Sequence, residues 1–400
     1  MKRSLRFLAT ILSLLFLGII VGCSDNQPDT PDNPETPGKP DPVRRTVLVY
    51  MVADNSLGAY DFDKIDIREM LEGASDKGIA EDSRWLVYHA PKYGFPKLIE
   101  ITANDSTTLK TYPRGGSATL GRMTEVLDDV VTYSPASSYG LVLWSHASNW
   151  IVDGVEEDRE VATLSFGIDG SGAAAQKMDI ATLRYALLDR NIDYVYFDAC
   201  FMGSVEVAYE LRDACNYVIA SPSELPSDGM PYQQNMVCLT DGSVDALVNA
   251  AQNTFDYYNA ILLPYYRTCT MSVIDTRVLE RLARATAAIY KLTPLPHPGT
   301  LITNYRADIS TVEDAIDFGE YVNALAESSS IDPALISEFN AALEDAVVYK
   351  DATEKLWNKY PIYHASGLST YVFDTPAGFA VSGYDTLRWA KDVVSQHLHD

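Results

Sequence analysis

The chain has 400 residues, with 55 Asp and Glu against 31 Lys and Arg, and a formal net charge of −24 at pH 7. This length holds one large domain or two ordinary ones and allows a substantial core. The acidic balance excludes nucleic acid as the main partner. It is compatible with basic substrates, although a solubilising surface is the plainer reading.

The first 22 residues are read as lying outside the fold. Lys2, Arg3 and Arg6 form a positive start, and residues 7–21 form an apolar run of 15, short for a membrane-spanning helix. The run ends in Ile20-Val21-Gly22-Cys23, without the Ala-x-Ala pattern of an ordinary secretory signal. It resembles a bacterial lipoprotein signal. That implies a lipid on Cys23 and export to a bacterial membrane, with the outer membrane and the cell surface among the destinations. Residues 23–45 then carry six prolines, at 28, 31, 34, 37, 40 and 42, interleaved with Asp and Glu. Such a stretch buries no core and predicts an extended tether.

The fold is expected to begin near Thr46. Residues 46–52 are continuously apolar and predict a fully buried strand. A turn over 53–58 leads to a helix over 63–72, with Ile65, Ile67, Met70 and Leu71 as its apolar members. A strand over 84–89 and a hairpin over 98–102 and 107–112 follow. The spacing of Leu120, Met123, Val126, Leu127 and Val130 predicts an amphipathic helix over 120–132. Residues 139–145 form another buried strand, with His146 at its carboxyl end. After a polar loop over 149–162 come a short strand over 164–168, a helix over 178–189 and a buried strand over 194–197. Gly203-Ser204 opens the next helix, and 217–220 is a strand. Alternating strands and helices predict a mainly parallel sheet covered on both faces.

From about 241 the chain is richer in helix, over 244–258, 278–290, 313–326, 333–348 and 384–398, with strands over 270–275 and 368–373. The domain reading is therefore a core over 46–240 and a helix-rich part of the same unit over 241–400.

The chemistry centres on Asp198-Ala199-Cys200. A cysteine at the carboxyl end of a strand, before a helix, stands where open α/β sheets bind ligands, and a helix N-terminus favours its thiolate. His146 lies 54 residues upstream at the end of another buried strand. That separation is close to the caspase spacing of about 50. An imidazole beside a thiol can raise the thiolate fraction or protonate a leaving amine. The other cysteines, Cys215, Cys238 and Cys269, allow at most one bridge if Cys200 stays reduced, and no CxxC or HExxH stretch suggests a zinc site. His364 reads as structural. His89 is expected near the same sheet edge but matches no motif.

Four stretches carry a family resemblance: Val49-Tyr50-Met51-Val52-Ala53-Asp54-Asn55-Ser56-Leu57, Leu143-Trp144-Ser145-His146, Phe197-Asp198-Ala199-Cys200-Phe201-Met202-Gly203 and Ser366-Gly367-Leu368-Ser369-Thr370-Tyr371. Together, over roughly 46–375, the chain resembles the clostripain-like cysteine peptidases, relatives of caspases, legumains and gingipains. The resemblance implies a caspase-like three-layer sandwich. It also implies cleavage of protein or peptide substrates after Arg or Lys, with Cys200 as nucleophile and His146 as general acid/base through a thioester acyl-enzyme.

A cationic substrate side chain in a closed pocket needs an anionic floor. Asp198 is the first candidate, Asp228 the second and Glu224 a weaker third. The alternatives are a turn-capping role for Asp198 and an ordinary turn for Asp228 beside Gly229. Backbone N–H groups of Cys200 and Ala147 would hold the oxyanion. The residue at 147 is usually Gly in the family, and Ala there would impair activity if the turn were left-handed. Self-cleavage between His and Cys, known in the family, offers Arg159 and Lys177. Asp153, Glu156, Glu157, Asp158 and Glu160 form an acidic loop for which calcium is a candidate ligand and solvation the plainer reading. A catalytically inactive binding lipoprotein on this fold is the alternative function, and an amidase or transpeptidase with the same dyad is the third.

Overall fold

A computed structural model describes residues 40–103, 105–150, 166–171, 175–293, 302–306, 315–372 and 383–395. The signal, Cys23, most of the tether and the acidic loop with Arg159 lie outside the described residues.

The chain starts with β1 (Val43–Ala53), buried from Arg45 onward because its apolar run meets helices on both faces. It turns through α1 (Ser56–Ala59) into α2 (Phe62–Asp76), then β2 (Ser83–Pro91) and the hairpin of β3 (Lys97–Ile101) and β4 (Ser106–Thr111). Next come α3 (Leu120–Tyr133) and β5 (Ala136–Trp144). A two-stranded pair, β6 (Phe166–Asp169) and β7 (Gln176–Met178), precedes α4 (Ile180–Leu187), β8 (Ile192–Asp198), α5 (Val205–Glu210) and β9 (Tyr217–Ala220). Then follow α6 (Tyr232–Asp241), α7 (Val244–Asn259), β10 (Thr270–Asp275) and α8 (Leu279–Tyr290). The last part holds β11 (Ile316–Asp317), α9 (Phe318–Ser328), α10 (Pro333–Ala346), β12 (Val347–Ala352), β13 (Lys355–Leu356), β14 (Tyr360–Pro361) and β15 (Ser369–Thr370).

Nine of these strands form one sheet in the order β12-β10-β9-β8-β5-β1-β2-β3-β4. From β9 to β2 every pairing is parallel, and two antiparallel strands close each margin. Successive residues of a strand face opposite sides. Leu48, Tyr50 and Val52 therefore pack with α3, α4, α5 and the later helices, while Val47, Val49 and Met51 pack with α2, α6 and α7. The result is the expected helix–sheet–helix sandwich.

Several expectations change in detail. The helix read over 333–348 stops at Ala346, and β-branched Val347-Val348 continues as the edge strand β12. The stretch from Ser221 to Tyr232, broken by Pro226, Gly229 and Pro231, reads as a loop, and no helix is expected before Val244. Yet Pro231 starts α6, whose buried Tyr232, Asn235, Met236 and Leu239 follow helical spacing. The helix over 384–398 is, among the described residues, a 3₁₀ turn over Tyr384–Thr386 and a π-helical turn over Ala390–Val394. The strand over 368–373 reduces to β15, with residue 373 outside the described residues.

The buried face of α2 is also shifted. Asp63, Asp66 and Met70 point inward and Ile65 is exposed. The aspartates are held by specific donors. His89 Nε2 lies 2.6 Å from Asp63 Oδ2, and the Trp144 indole donates to Asp66 Oδ2 at 2.5 Å. His89 is thus occupied by α2, inside β2, and is not at the end of its strand.

Candidate active site

Register brings the expected pair together. Trp144 at the end of β5 lies beside Asp198 at the end of the parallel β8. His146 and Cys200 are each two residues further on, at the carboxyl edge of neighbouring strands. Both line a cavity of about 140 Å³, together with Trp144, Asp198, Glu224, Leu225 and Trp357.

The turn after β1 braces this edge. The Asn55 amide donates to the carbonyls of Val52 and Ile168 and to Ser145 Oγ, at 2.9, 3.0 and 3.2 Å. Ser145 Oγ in turn donates to the Val52 carbonyl at 2.9 Å. The residue next to His146 is therefore tied to the end of the adjoining strand. His146 Nε2 is 2.7 Å from Ser56 Oγ, and burial lowers the pKa of the imidazole below its ordinary value.

Two features hold the backbone after Cys200. Phe201 sits at φ +63, a left-handed conformation costing about 1–2 kcal/mol for a non-glycine residue. Its N–H donates to the Ser223 carbonyl at 2.9 Å, and the Arg306 guanidinium lies over its ring at 3.7 Å. Gly203 is required by contact rather than by φ, since a Cβ there would come within 2.6 Å of the Pro222 nitrogen.

The closing strand completes the support. Ser369 N–H donates to the Gly203 carbonyl at 2.9 Å. The Glu206 carboxyl, fully buried in α5, accepts from Thr370 Oγ1 at 2.7 Å, Tyr371 N–H at 3.1 Å and the Tyr384 hydroxyl at 3.1 Å. This explains why the Gly-Leu-Ser stretch, far along the chain, belongs with the cysteine motif.

The helix after the cysteine begins where the sequence places it, with Ser204 as the N-cap of α5, four residues beyond Cys200. Burial, reinforced by the Glu224 charge, pushes the Cys200 thiol up to about 12, with Arg306 opposing. The thiol donates to the Leu225 carbonyl at 3.6 Å. Among the described residues no hydrogen bond joins Cys200 to His146. At neutral pH this arrangement holds a neutral imidazole and a protonated thiol.

Asp198 is 5 % exposed and lines the cavity. It accepts from the Tyr232 hydroxyl at 2.9 Å and from Met230 N–H at 3.1 Å. Burial raises its pKa to about 6, and these two bonds oppose the rise. Gly229, at φ +65, lets the loop close over it, because a Cβ would lie 2.9 Å from the carboxylate. Asp66 lies close enough for the two charges to interact, and burial, then Asp198, raises it to about 9. Glu224 is half-buried on the cavity wall, whereas Asp228 is exposed and is not among the lining residues.

Ala147 is buried and has no positive φ, so alanine costs no strain there. The positive φ falls instead on Asn149, whose amide oxygen accepts from Ser204 Oγ at 2.5 Å. Lys177 lies within β7, paired antiparallel with β6. Cys200, Cys215, Cys238 and Cys269 are all free. Arg306, Asp66 and Trp357 were not expected at the site. Nothing local in the sequence marks the first and third, while Asp66 broke the apolar face expected of α2.

A largely parallel sheet with cysteine and histidine on adjacent carboxyl ends defines a caspase-like cysteine hydrolase. The sequence matches the model of the clostripain family, Peptidase C11, over residues 49–369, and the chain belongs to that family of cysteine peptidases. An inactive zymogen C11 protease from Parabacteroides distasonis is similar, at 28 % identity and TM-score 0.75, over 88 % of this chain and 99 % of that one. A secreted C11 cysteine protease from Bacteroides thetaiotaomicron, solved with an irreversible peptide inhibitor, has 25 % identity and TM-score 0.71, over 88 % and 99 %. A structure of such a protease from the same organism, iotapain, has 26 % identity and TM-score 0.71, over 88 % and 100 %. No curated protein matches the sequence.

Proposed function

We propose that the chain is an exported, lipid-anchored endopeptidase that cleaves after Arg or Lys through a Cys200/His146 dyad. The observation that carries this reading is one cavity holding Cys200, His146 and the buried carboxylate of Asp198. The positive n-region, apolar run and Cys23 support the anchor.

His146 accepts the Cys200 proton as sulfur attacks the carbonyl carbon of the basic residue itself. This requires the thiol to leave the Leu225 carbonyl and the imidazole to leave Ser56. The N–H groups of Cys200 and Ala147 stabilise the oxyanion. His146 then gives its proton to the leaving amine, the C–N bond breaks and a thioester remains. Water attacks the thioester with His146 again taking a proton, which returns to the thiol. Asp198 forms the pocket floor that selects the cation, with Glu224 at its wall and Asp228 outside.

The resting hydrogen bond from Cys200 to Leu225 favours a latent state in the uncut chain. One similar structure is described as an inactive zymogen. A peptide library digested by the full chain and read by mass spectrometry tests the proposal. Cuts after Arg and Lys are expected. Cuts after apolar or acidic residues would overturn the specificity, and transferred acyl groups would point to a transpeptidase.

A further inference from the structure

An exposed apolar loop reaches the cavity wall through one ring contact. Residues 261–267 follow α7, and in them Leu262 is 87 % exposed and Leu263 63 %, with Tyr265 and Tyr266 also exposed. This loop is ordered by its own bonds: Tyr266 N–H donates to the Leu263 carbonyl at 3.0 Å, and Arg267 Nε to the Ile261 carbonyl at 2.9 Å. Its tie to the cavity is Tyr265, whose ring lies 5.4 Å from that of Trp357, and Trp357 is part of the cavity wall.

Trp357 is held there against its backbone preference. It and Asn358 occupy the turn between β13 and β14 at φ +51 and φ +55, with Lys359 N–H donating to the Leu356 carbonyl at 3.0 Å. Two consecutive positive φ values define a turn that Asn, Asp or Gly fill readily and a bulky aromatic fills only under strain. Such strain persists where the surroundings enforce it and is concentrated at binding sites. The turn presents an indole to the cavity at a position where asparagine would be easier.

We infer that Trp357, Tyr265, Leu262 and Leu263 form an apolar subsite for substrate side chains flanking the cleaved bond. The inference rests on the reading of the cavity as the peptide-binding cleft and deepens it, since the preferred substrate becomes a basic residue set among apolar ones. The occupant follows from continuity. The apolar loop joins the cavity wall through the Tyr265–Trp357 contact, and Trp357 lines the same cavity as Asp198, so a peptide whose basic side chain reaches Asp198 would set its neighbouring side chains toward this wall. Aromatic surfaces of this kind supply contact area at small entropic cost.

Binding is measured on the full chain carrying Cys23→Ser and Cys200→Ala, so that cleavage and the anchor play no part. Fluorescence anisotropy reads two labelled peptides, Leu-Leu-Arg-Leu-Leu and Ser-Ser-Arg-Ser-Ser. The leucine peptide is expected to bind about tenfold more tightly, as burial of one or two leucines provides. In the Leu263→Ser and Trp357→Asn variants that ratio falls to about one. Because Asn suits the turn, Trp357→Asn keeps Tm within about 3 °C. Equal affinity of the two peptides in the parent chain overturns the inference. So does a ratio untouched by both substitutions, or loss of vesicle binding by Leu263→Ser with the ratio preserved, which would assign the loop to a membrane surface. Cleavage by the unsubstituted chain is assayed separately. Failure there with the affinity ratio intact counts against the catalytic reading and not against the subsite.

Discussion

Cys200→Ala leaves a folded chain that cleaves Arg-containing peptides at least about 10³-fold more slowly, and His146→Ala does nearly as much. The two groups act as a unit, so the double variant is little worse than either single one. Folding survives because the Cys200 side chain contributes one weak hydrogen bond, to Leu225, and the edge of a small apolar cluster, while the turn is held by Phe201, Gly203 and Ser369 through main-chain contacts. The pH dependence follows from His146. It must be neutral to accept the thiol proton, and burial lowers its pKa from an ordinary 6.5. The acid limb of kcat/KM due to His146 therefore lies below pH 6.5. Circular dichroism checks the fold, and a fluorogenic Arg substrate checks the rate. Undiminished cleavage by Cys200→Ala would remove the nucleophile assignment.

Asp198→Asn lowers kcat/KM for Arg and Lys substrates by about 10²-fold or more, through loss of the charge opposite the substrate cation. Asparagine can keep the acceptor for Met230 N–H and stay beside the Tyr232 hydroxyl, so the site keeps its shape. Burial raises Asp198 to about 6, so the parent enzyme loses affinity for a cationic side chain as the pH falls through 6. This appears chiefly in KM, and the variant lacks it.

The stability effect has the opposite sense to that of a carboxylate paired with a cation. The folded pKa of Asp198 lies above its ordinary 3.8. The parent fold therefore loses stability as the pH rises from about 4 to about 6, and above that range the variant is at least as stable. Thermal unfolding at pH 4 and pH 7 measures the difference. A variant with unchanged kcat/KM on Arg substrates would show that the floor lies elsewhere.

The central strands were legible because β1, β5 and β8 are apolar on both faces, which only a covered parallel sheet requires. Register then follows, and with it the meeting of His146, Cys200 and Asp198. Other parts depend on contacts that sequence spacing does not carry. The inward face of α2 was read from its isoleucines. It is instead set by Asp63 and Asp66, which are buried because His89 and Trp144 lie opposite. Arg306 and Trp357 reach the site from more than a hundred residues beyond Cys200. Backbone conformation does not demand glycine at 147, since the left-handed residue in this turn is Asn149. The helix opens at Ser204, as Gly203-Ser204 suggests, but the turn from Cys200 to Gly203 separates it from the thiol, and burial works against the thiolate.

The most direct test of the central claim is a mass measurement on the full chain after treatment with an Arg chloromethyl ketone. A Cys200 thiolate displaces chloride, the new sulfur–carbon bond adds the peptidyl group, and proteolytic mapping locates it. The account predicts one label, on Cys200, formed much faster than with a Leu chloromethyl ketone and slowed strongly by His146→Ala. Equal labelling by both reagents, labelling indifferent to His146, or labelling of Cys238 instead would contradict it.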